Sequence, residues 1–349
     1  MEDLLREAVQ ERASDIHLTV GVPPIFRING ELVKTEYPKL TRPDTEKMFI
    51  KISSKEQQQL FAEQGELDFS FALPNISRFR VNAFCQRGSV TIVIRIVNDK
   101  IPTLDELGHP PIFKTLSSQP RGLVLITGPT GSGKSTTLAA MIDLINSSRA
   151  CHILTLEDPI EYAHKHKKSI VNQREIHSDT KSFHIALRAA LREDPDVILV
   201  GEMRDPETIA TAITAAETGH LVFATLHTGS AAQTIDRIID AFPAYQQQQI
   251  RMQLSVAIQG IVAQQLLPRI DIKGRVAALE VLIATPAVRN VIREGKNQQL
   301  TSIIQTGLQS GMLPMDVSLR DLYRQGIISY EEAISRALDE ETFLRLINA

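Results

Sequence analysis

Tryptophan is absent from this chain of 349 residues, and aromatic side chains make up only 5% of it. Proteins that grip single-stranded nucleic acid need aromatic platforms set in a basic groove. Here platforms are few and cations are not in excess: 38 Lys and Arg stand against 41 Asp and Glu, a formal net charge of −3. That balance gives no global attraction to nucleic acid or to anionic lipid. Cysteine is nearly missing as well. Cys85 and Cys151 lie far apart and form no metal-type spacing, which reads as a reduced, intracellular chain. No apolar run is long enough to span a bilayer. The opening residues, Met1 to Glu7, are acidic and helical in pattern rather than signal-like. The expectation is a cytoplasmic protein with no direct membrane insertion and no nucleic-acid partner. Any place at the inner face of the membrane would be reached through another protein.

What the chain does have is one dense, specific stretch. Leu123 to Ile126 is a short apolar run that reads as a buried strand. Gly128-Pro129-Thr130-Gly131-Ser132-Gly133-Lys134-Ser135 follows at once, and from Thr136 to Ile145 apolar residues recur at helical spacing. Strand, Gly-x-x-x-x-Gly-Lys-Ser and helix is the context in which a phosphate-binding loop works. Glycine permits backbone angles closed to other residues, so successive N–H groups can turn inward onto a phosphate chain. The helix beginning there adds its positive end. Lys134 is placed to reach the β- and γ-phosphates, and the Ser135 hydroxyl to ligate Mg²⁺. The cofactors expected are therefore ATP and Mg²⁺, with Gly128 to Thr136 forming the binding loop.

Around this stretch the chain divides. Residues 1–100 read as an α+β domain on an antiparallel sheet. A helix runs from Met1 to about Arg12, a hairpin with an Asn29-Gly30 turn follows, and Thr41 to Ala62 is helical. Three alternating strands come next, around Leu67, Arg78 and Val90. Pro102, Gly108 and Pro110-Pro111 mark a linker over 101–121. Residues 122–349 alternate strand and helix, as a parallel sheet with crossover helices does. Further strands are expected at His152–Leu156, Asp196–Val200 and Leu221–Leu226. After Ala231 the chain reads as mostly helical, including Ile250–Leu266 and 287–349.

Active groups in such sheets collect past the carboxyl ends of the strands. Glu202 follows four apolar strand residues and Gly201, where a carboxylate can polarise the attacking water. The common form has an Asp before that Glu. With Gly201 there instead, Mg²⁺ should rest mainly on Ser135, phosphates and water, with water-mediated help from Glu202 or Asp158. Glu157 and Asp158 end the second strand and could orient the nucleophile or the metal, or simply close a turn before Pro159. His220 and His227 bracket the fourth strand; one or both could meet the γ-phosphate or Glu202, or be packing residues. His164 to Lys168 reads as a solvated loop, since His-x-His alone supplies too few metal ligands. Arg78, Arg80, Arg87 and Arg95 alternate along two strands of the first domain. They make either a solvated cationic face or guanidinium groups delivered to a nucleotide on another subunit.

These residues together resemble the secretion/type IV pilus motor ATPase family, over essentially the whole chain. Ser14-Asp15-Ile16-His17-Leu18 is similar to its N-terminal signature, and Gly128–Ser135 to its Walker A loop. Ile153–Glu161 resembles its aspartate box, Leu187–Asp205 the approach to an atypical Walker B, and Thr218–Thr228 its histidine box. Assembly and secretion members usually carry a longer N-terminal region and a four-cysteine zinc site. Leu267 to Arg275, where those cysteines would fall, has none. Ala287 to Glu294 resembles a motif of the retraction branch, departing from it at Val288 and Val291. The resemblance implies a RecA-like P-loop NTPase domain preceded by a smaller PAS-like α+β domain, and a homohexamer. It also implies an inner-membrane pilus platform protein as partner, and Arg80 and Arg95 as nucleotide contacts. It makes the expected activity ATP hydrolysis coupled to type IV pilus retraction and twitching motility, with Glu202, Lys134, Glu157 and His227 catalytic. The rivals are an accessory retraction paralogue, a pilus assembly or type II secretion ATPase, a RecA-like nucleic-acid translocase, and a nucleotide-dependent binding module without turnover.

Overall fold

The computed structural model describes residues 1–348 apart from Arg12, Asn29, Asn75, Asn98, Asp99 and Asp339. Arg12, at the expected end of the first helix, and Asn29, half of the expected Asn-Gly turn, thus lie outside the described residues. The chain divides into two units: Met1–Lys100 with Glu161–Ala163, and Ile101–Ile160 with His164–Ala349.

In the first unit, helix α1 (Glu2–Gln10) buries Leu4, Leu5 and Ala8. Strands β1 (Asp15–Leu18), β2 (Ile25–Ile28) and β3 (Glu31–Lys34) follow. Helices α2 (Arg42–Ile52) and α3 (Lys55–Gln64) come next, then strands β4 (Glu66–Leu73), β5 (Ser77–Gln86) and β6 (Ser89–Val97). The expected single helix over Thr41 to Ala62 is two, because Ser54 caps a new helix in a reciprocal capping box with Gln57. The sheet order is β3-β2-β1-β6-β5-β4, antiparallel throughout. Alternation sorts β5: Phe79, Val81 and Ala83 are buried, while Arg78 and Arg80 point to the other face. Arg80 stands directly across from Arg95 of β6, so those two and Arg78 share a face. Arg87 is instead in the β5–β6 turn, with a positive φ of 49°.

The second unit opens with residues 101–121, whose Leu104, Phe113 and Leu116 lie in its core. Helix α4 (Ile112–Ser117), strand β7 (Gly122–Thr127), helix α5 (Lys134–Ser148), strands β8 (His152–Glu157) and β9 (Ile170–Glu175) and helix α6 (Phe183–Ala190) come first. Strand β10 (Val197–Val200), helix α7 (Pro206–Glu217), strand β11 (Leu221–Leu226) and helices α8 (Ala231–Asp240) and α9 (Ala244–Ala257) continue it. Strands β12 (Ile258–Pro268) and β13 (Arg275–Ile283) complete the sheet. Helices α10 (Pro286–Glu294), α11 (Leu300–Thr306), α12 (Met315–Arg324), α13 (Tyr330–Arg336) and α14 (Glu340–Asn348) end the chain.

The sheet order is β13-β12-β7-β11-β10-β8-β9, with β13 antiparallel to β12 and the other pairs parallel. Both faces of the central strands are covered, so β7, β8, β10 and β11 are mostly apolar. Leu123 and Leu125 face a core shared with α6 to α11, while Val124 and Ile126 face a core shared with α4 and α5. Each fully buried Val, Leu or Ile contributes about 1.5–3 kcal/mol, so the central strands are anchored from two sides.

The helix expected over Ile250–Leu266 is corrected: it stops at Ala257, and β12 takes over. A strand buried on both faces shows no alternation and imitates a helical run. Gly260 was the available signal. A Cβ there would sit 2.9 Å from Leu116 and 3.1 Å from the Leu282 carbonyl, so only glycine lets β12 lie this close. Among the described residues no helix is long and apolar enough to cross a membrane.

Candidate active site

The loop between β7 and α5 has the conformation its glycines predict. Gly128, Gly131 and Gly133 have φ of 142°, 79° and 87°. A Cβ on Gly133 would lie 2.8 Å from Gln264 Nε2 on β12, and one on Gly128 would overlap the Gln264 carbonyl. Gly133 caps α5 with no side-chain hydrogen bond to its first turn, and the buried Ser132 hydroxyl has no partner. Unclaimed helix amides and an orphaned hydroxyl at a glycine cradle fit a phosphate group. Lys134 is only 9% exposed, and its Nζ donates to the carbonyls of Gly128 and Pro129 at 2.8 and 3.0 Å. Its charge therefore sits inside the loop's curl. Ser135 and Thr136 are half-buried in the first turn of α5.

The acidic residues stand on the same carboxyl edge. Glu202 follows β10, flanked by β8 and β11. Its backbone is fastened on both sides: the Gly201 N–H donates to the Leu156 carbonyl at 2.7 Å, and Thr225 Oγ1 donates to the Gly201 carbonyl at 2.5 Å. This closeness explains the glycine. A Cβ at 201 would come 3.0 Å from the Leu156 carbonyl and 3.2 Å from Glu157 Cα, so the usual Asp would crowd the backbone of β8. The Glu202 carboxylate lies 3.2 Å from His227 Nε2 and 2.5 Å from Arg204 Nε. Glu157 accepts from Thr155 Oγ1 at 2.6 Å and from Gln173 Nε2 at 3.1 Å, which orients its carboxylate from below and from β9. Asp158 is about half exposed, 4.0 Å from His177.

His227 therefore meets Glu202, as one reading of the histidine pair required, and His220 does not. His220 lies at the amino end of β11, bonded to the Ala215 carbonyl at 2.9 Å, about 20 Å of strand away. The His164–Lys168 loop is only partly solvated. Asn146 of α5 pins its backbone at Lys165 and Lys167, and burial pushes His164 down to about 4. In the first unit Arg80 is exposed, while Arg95 Nε donates to Asp15 Oδ1 at 2.9 Å.

Arg204, Thr155, Gln173 and Gln264 belong to the site's frame and escaped the sequence reading. Arg204 had a signal, its spacing from Glu202. Gln264 had a weaker one, an amide inside an apolar run, and a buried amide must be hydrogen-bonded to something.

A parallel sheet with a phosphate loop on one strand and a carboxylate two strands away defines a P-loop nucleotide hydrolase of RecA-like architecture. Known proteins agree. The sequence profile of the Type II/IV secretion system protein family matches residues 1–281. The "Type IV pilus retractation ATPase PilT" of Pseudomonas aeruginosa is 51% identical over 341 residues, covering 98% of this chain and 99% of that protein. "Type IV pilus ATPase PilU" of the same organism is 44% identical, covering 99% and 90%. A crystal structure of the pilus retraction motor PilT with bound ADP superimposes with a TM-score of 0.92 at 51% identity over 98% of both chains. The chain belongs to the Type II/IV secretion system protein family and is an ATPase of its pilus-retraction branch.

Proposed function

We propose that this chain works as a cytoplasmic homohexameric ring that converts ATP hydrolysis into mechanical work for type IV pilus retraction. ATP lies on Gly128 to Thr136, with Lys134 shifting from its own loop's carbonyls to the β- and γ-phosphates. Among the described residues no group of three or more His, Cys, Asp or Glu could hold a metal; Ser135, together with phosphate oxygens and water, would hold Mg²⁺, and Glu202 or Asp158 would reach it through water. Bound Mg²⁺ would neutralise charge developing on the phosphates.

The observation that carries the chemistry is Glu202, held at the carboxyl edge with His227 at 3.2 Å. Glu202 accepts a hydrogen bond from the attacking water and draws its proton. His227 and Arg204 fix the direction of that carboxylate. Glu157, aimed by Thr155 and Gln173, orders the region beside the γ-phosphate. Arg80 and Arg95 of a neighbouring subunit close the site and stabilise transition-state charge. The ring hands its motion to a platform protein in the inner membrane. Support for a motor rather than a simple hydrolase comes from the named activity of the relatives.

ATPase rate measured against protein concentration, with sizing of the same samples, tests this reading. Activity should rise as a ring of about six subunits assembles. Full activity in a monomer would remove the arginines supplied in trans, and with them the proposed ring mechanism.

A further inference from the structure

Three polar side chains lie almost dry beneath the phosphate loop. Gln264 is 2% exposed, Thr137 1% and His109 8%. They come from three separate places: β12, the first turn of α5 and the segment that precedes α4. Gln264 Nε2 donates to the Ser132 carbonyl at 2.6 Å, Thr137 Oγ1 donates to Gln264 Oε1 at 2.9 Å, and His109 Nε2 is 2.9 Å from Thr137 Oγ1.

The direction of these bonds is forced. The Ser132 carbonyl can only accept, so the Gln264 amide nitrogen must face it and its oxygen must face Thr137. That oxygen can only accept, so the single Thr137 proton points to Gln264. His109 Nε2 must then be the donor. Burial pushes His109 down to about 4, so it is neutral at pH 7 and carries one N–H, on Nε2. The ring is held in that pose by stacking on Phe113, centroids 4.5 Å apart and planes 16° from parallel. Each donor therefore points the same way, from His109 through Thr137 and Gln264 to the backbone of the loop.

We propose that His109, Thr137 and Gln264 are a positioning relay for nucleotide: they fix the Ser132 peptide so that the loop's amides face the phosphate chain. The proposal rests on Gly128–Ser135 being the nucleotide site. Ser132 sits between Gly131 and Gly133, the two left-handed glycines, where the backbone has the least intrinsic preference. An anchored carbonyl there removes the rotation that would turn adjacent N–H groups away from phosphate. Gln264 also fills the space a side chain on Gly133 would need, so the same residue enforces the glycine and orients its neighbour. His109 extends the anchor to the segment opening at Ile101, where the second unit begins. A shift of that segment would reach the loop through three hydrogen bonds.

The test uses the full chain and three proteins: the natural sequence, Thr137→Val and Thr137→Ser. Valine keeps the shape and removes the hydroxyl; serine restores it. ADP affinity, steady-state ATP hydrolysis and the nucleotide-free unfolding midpoint are measured for each. Thr137→Val is expected to raise Kd for ADP and KM for ATP roughly tenfold, the scale of one broken buried hydrogen-bond chain, with kcat changing by less than about threefold. Thr137→Ser should return both to within about threefold of the natural protein. Unchanged ADP affinity in Thr137→Val would overturn the relay. So would a loss of affinity that serine does not restore, accompanied by a lower unfolding midpoint in both variants, since packing of the methyl would then be the cause. If the natural protein binds ADP but does not turn over ATP, the hydrolytic reading falls while the ADP measurement still decides the relay. A natural protein that binds no ADP would sink both.

Discussion

In the seven-stranded sheet the proposed catalytic groups stand at the strand ends; in the six-stranded sheet the arginines proposed to meet a nucleotide stand on a face. The cause is how each sheet is covered. Cores on both sides of β7, β8, β10 and β11 leave no open face for a charge, so Glu157, Glu202, His227 and the phosphate loop are pushed to one edge. There they are fastened by backbone and by buried donors, as Gly201 is by Leu156 and Thr225. The face of β5 and β6 that carries Arg78, Arg80 and Arg95 lies opposite the one that buries Phe79, Val81 and Ile94. Two of its cations make pairwise side-chain contacts, Arg95 with Asp15 and Arg78 with Ser70, while Arg80 is exposed. Edge groups inherit the rigidity of a buried framework, which suits a site where a small misplacement costs rate. Face groups keep side-chain freedom, which suits residues that must reach another surface.

The sharpest way to break this contrast is at Glu202. Glu202→Gln keeps the shape and removes the base, so kcat should fall by about 10²–10⁴-fold while ATP binding stays near that of the natural protein. Near-normal turnover would take Glu202 out of its role and make the edge merely structural. A smaller effect is expected beside it. Gly201→Ala places a methyl 3.0 Å from the Leu156 carbonyl, and relief requires β8 and β10 to part. Denaturant unfolding should report a loss of about 1–3 kcal/mol, the usual cost of overpacking, with hydrolysis reduced as Glu202 moves. If stability is unchanged, the strand end is softer than the framework argument demands.

Much of this was legible from the residues. The loop Gly128–Ser135 states its conformation in its glycines. The place of Glu202 and His227 at the carboxyl edge was legible because a buried parallel strand reads as an apolar run with a polar residue at its end. The fold class and the antiparallel sheet of the first unit followed from the two hydrophobic periods. What escaped has common causes. β12 hid because burial on both faces erases alternation, and its loss concealed Gln264, which then could not be placed under the loop. β9 hid for the opposite reason: Asn172, Gln173 and Arg174 give a sheet-edge strand too little apolar character. His220 was offered beside His227 because sequence proximity to a strand does not say which end faces the ligand; strand direction does. His109 sat in a Pro- and Gly-punctuated stretch, where composition says linker and only packing could reveal a buried ring.

The mildest effect belongs to the open face. Asp15 is itself buried, accepting from Arg95 Nε and Ser14 Oγ at 2.9 Å each, with Arg27 Nε at 3.9 Å. The Arg95 side chain, however, is 66% exposed, so water screens the pair and replaces what is lost. Asp15→Asn retains one acceptor oxygen and removes the charge. The first unit should lose less than about 1 kcal/mol, the ordinary worth of a solvent-screened ion pair, read as a small shift of the denaturant midpoint. A loss as large as that of Gly201→Ala would show the arginine face to be locked into its framework as firmly as the edge of the larger sheet. The division between a rigid edge and an adaptable face would then fail, and Arg95 would be a structural tie rather than a group kept ready for a neighbouring site.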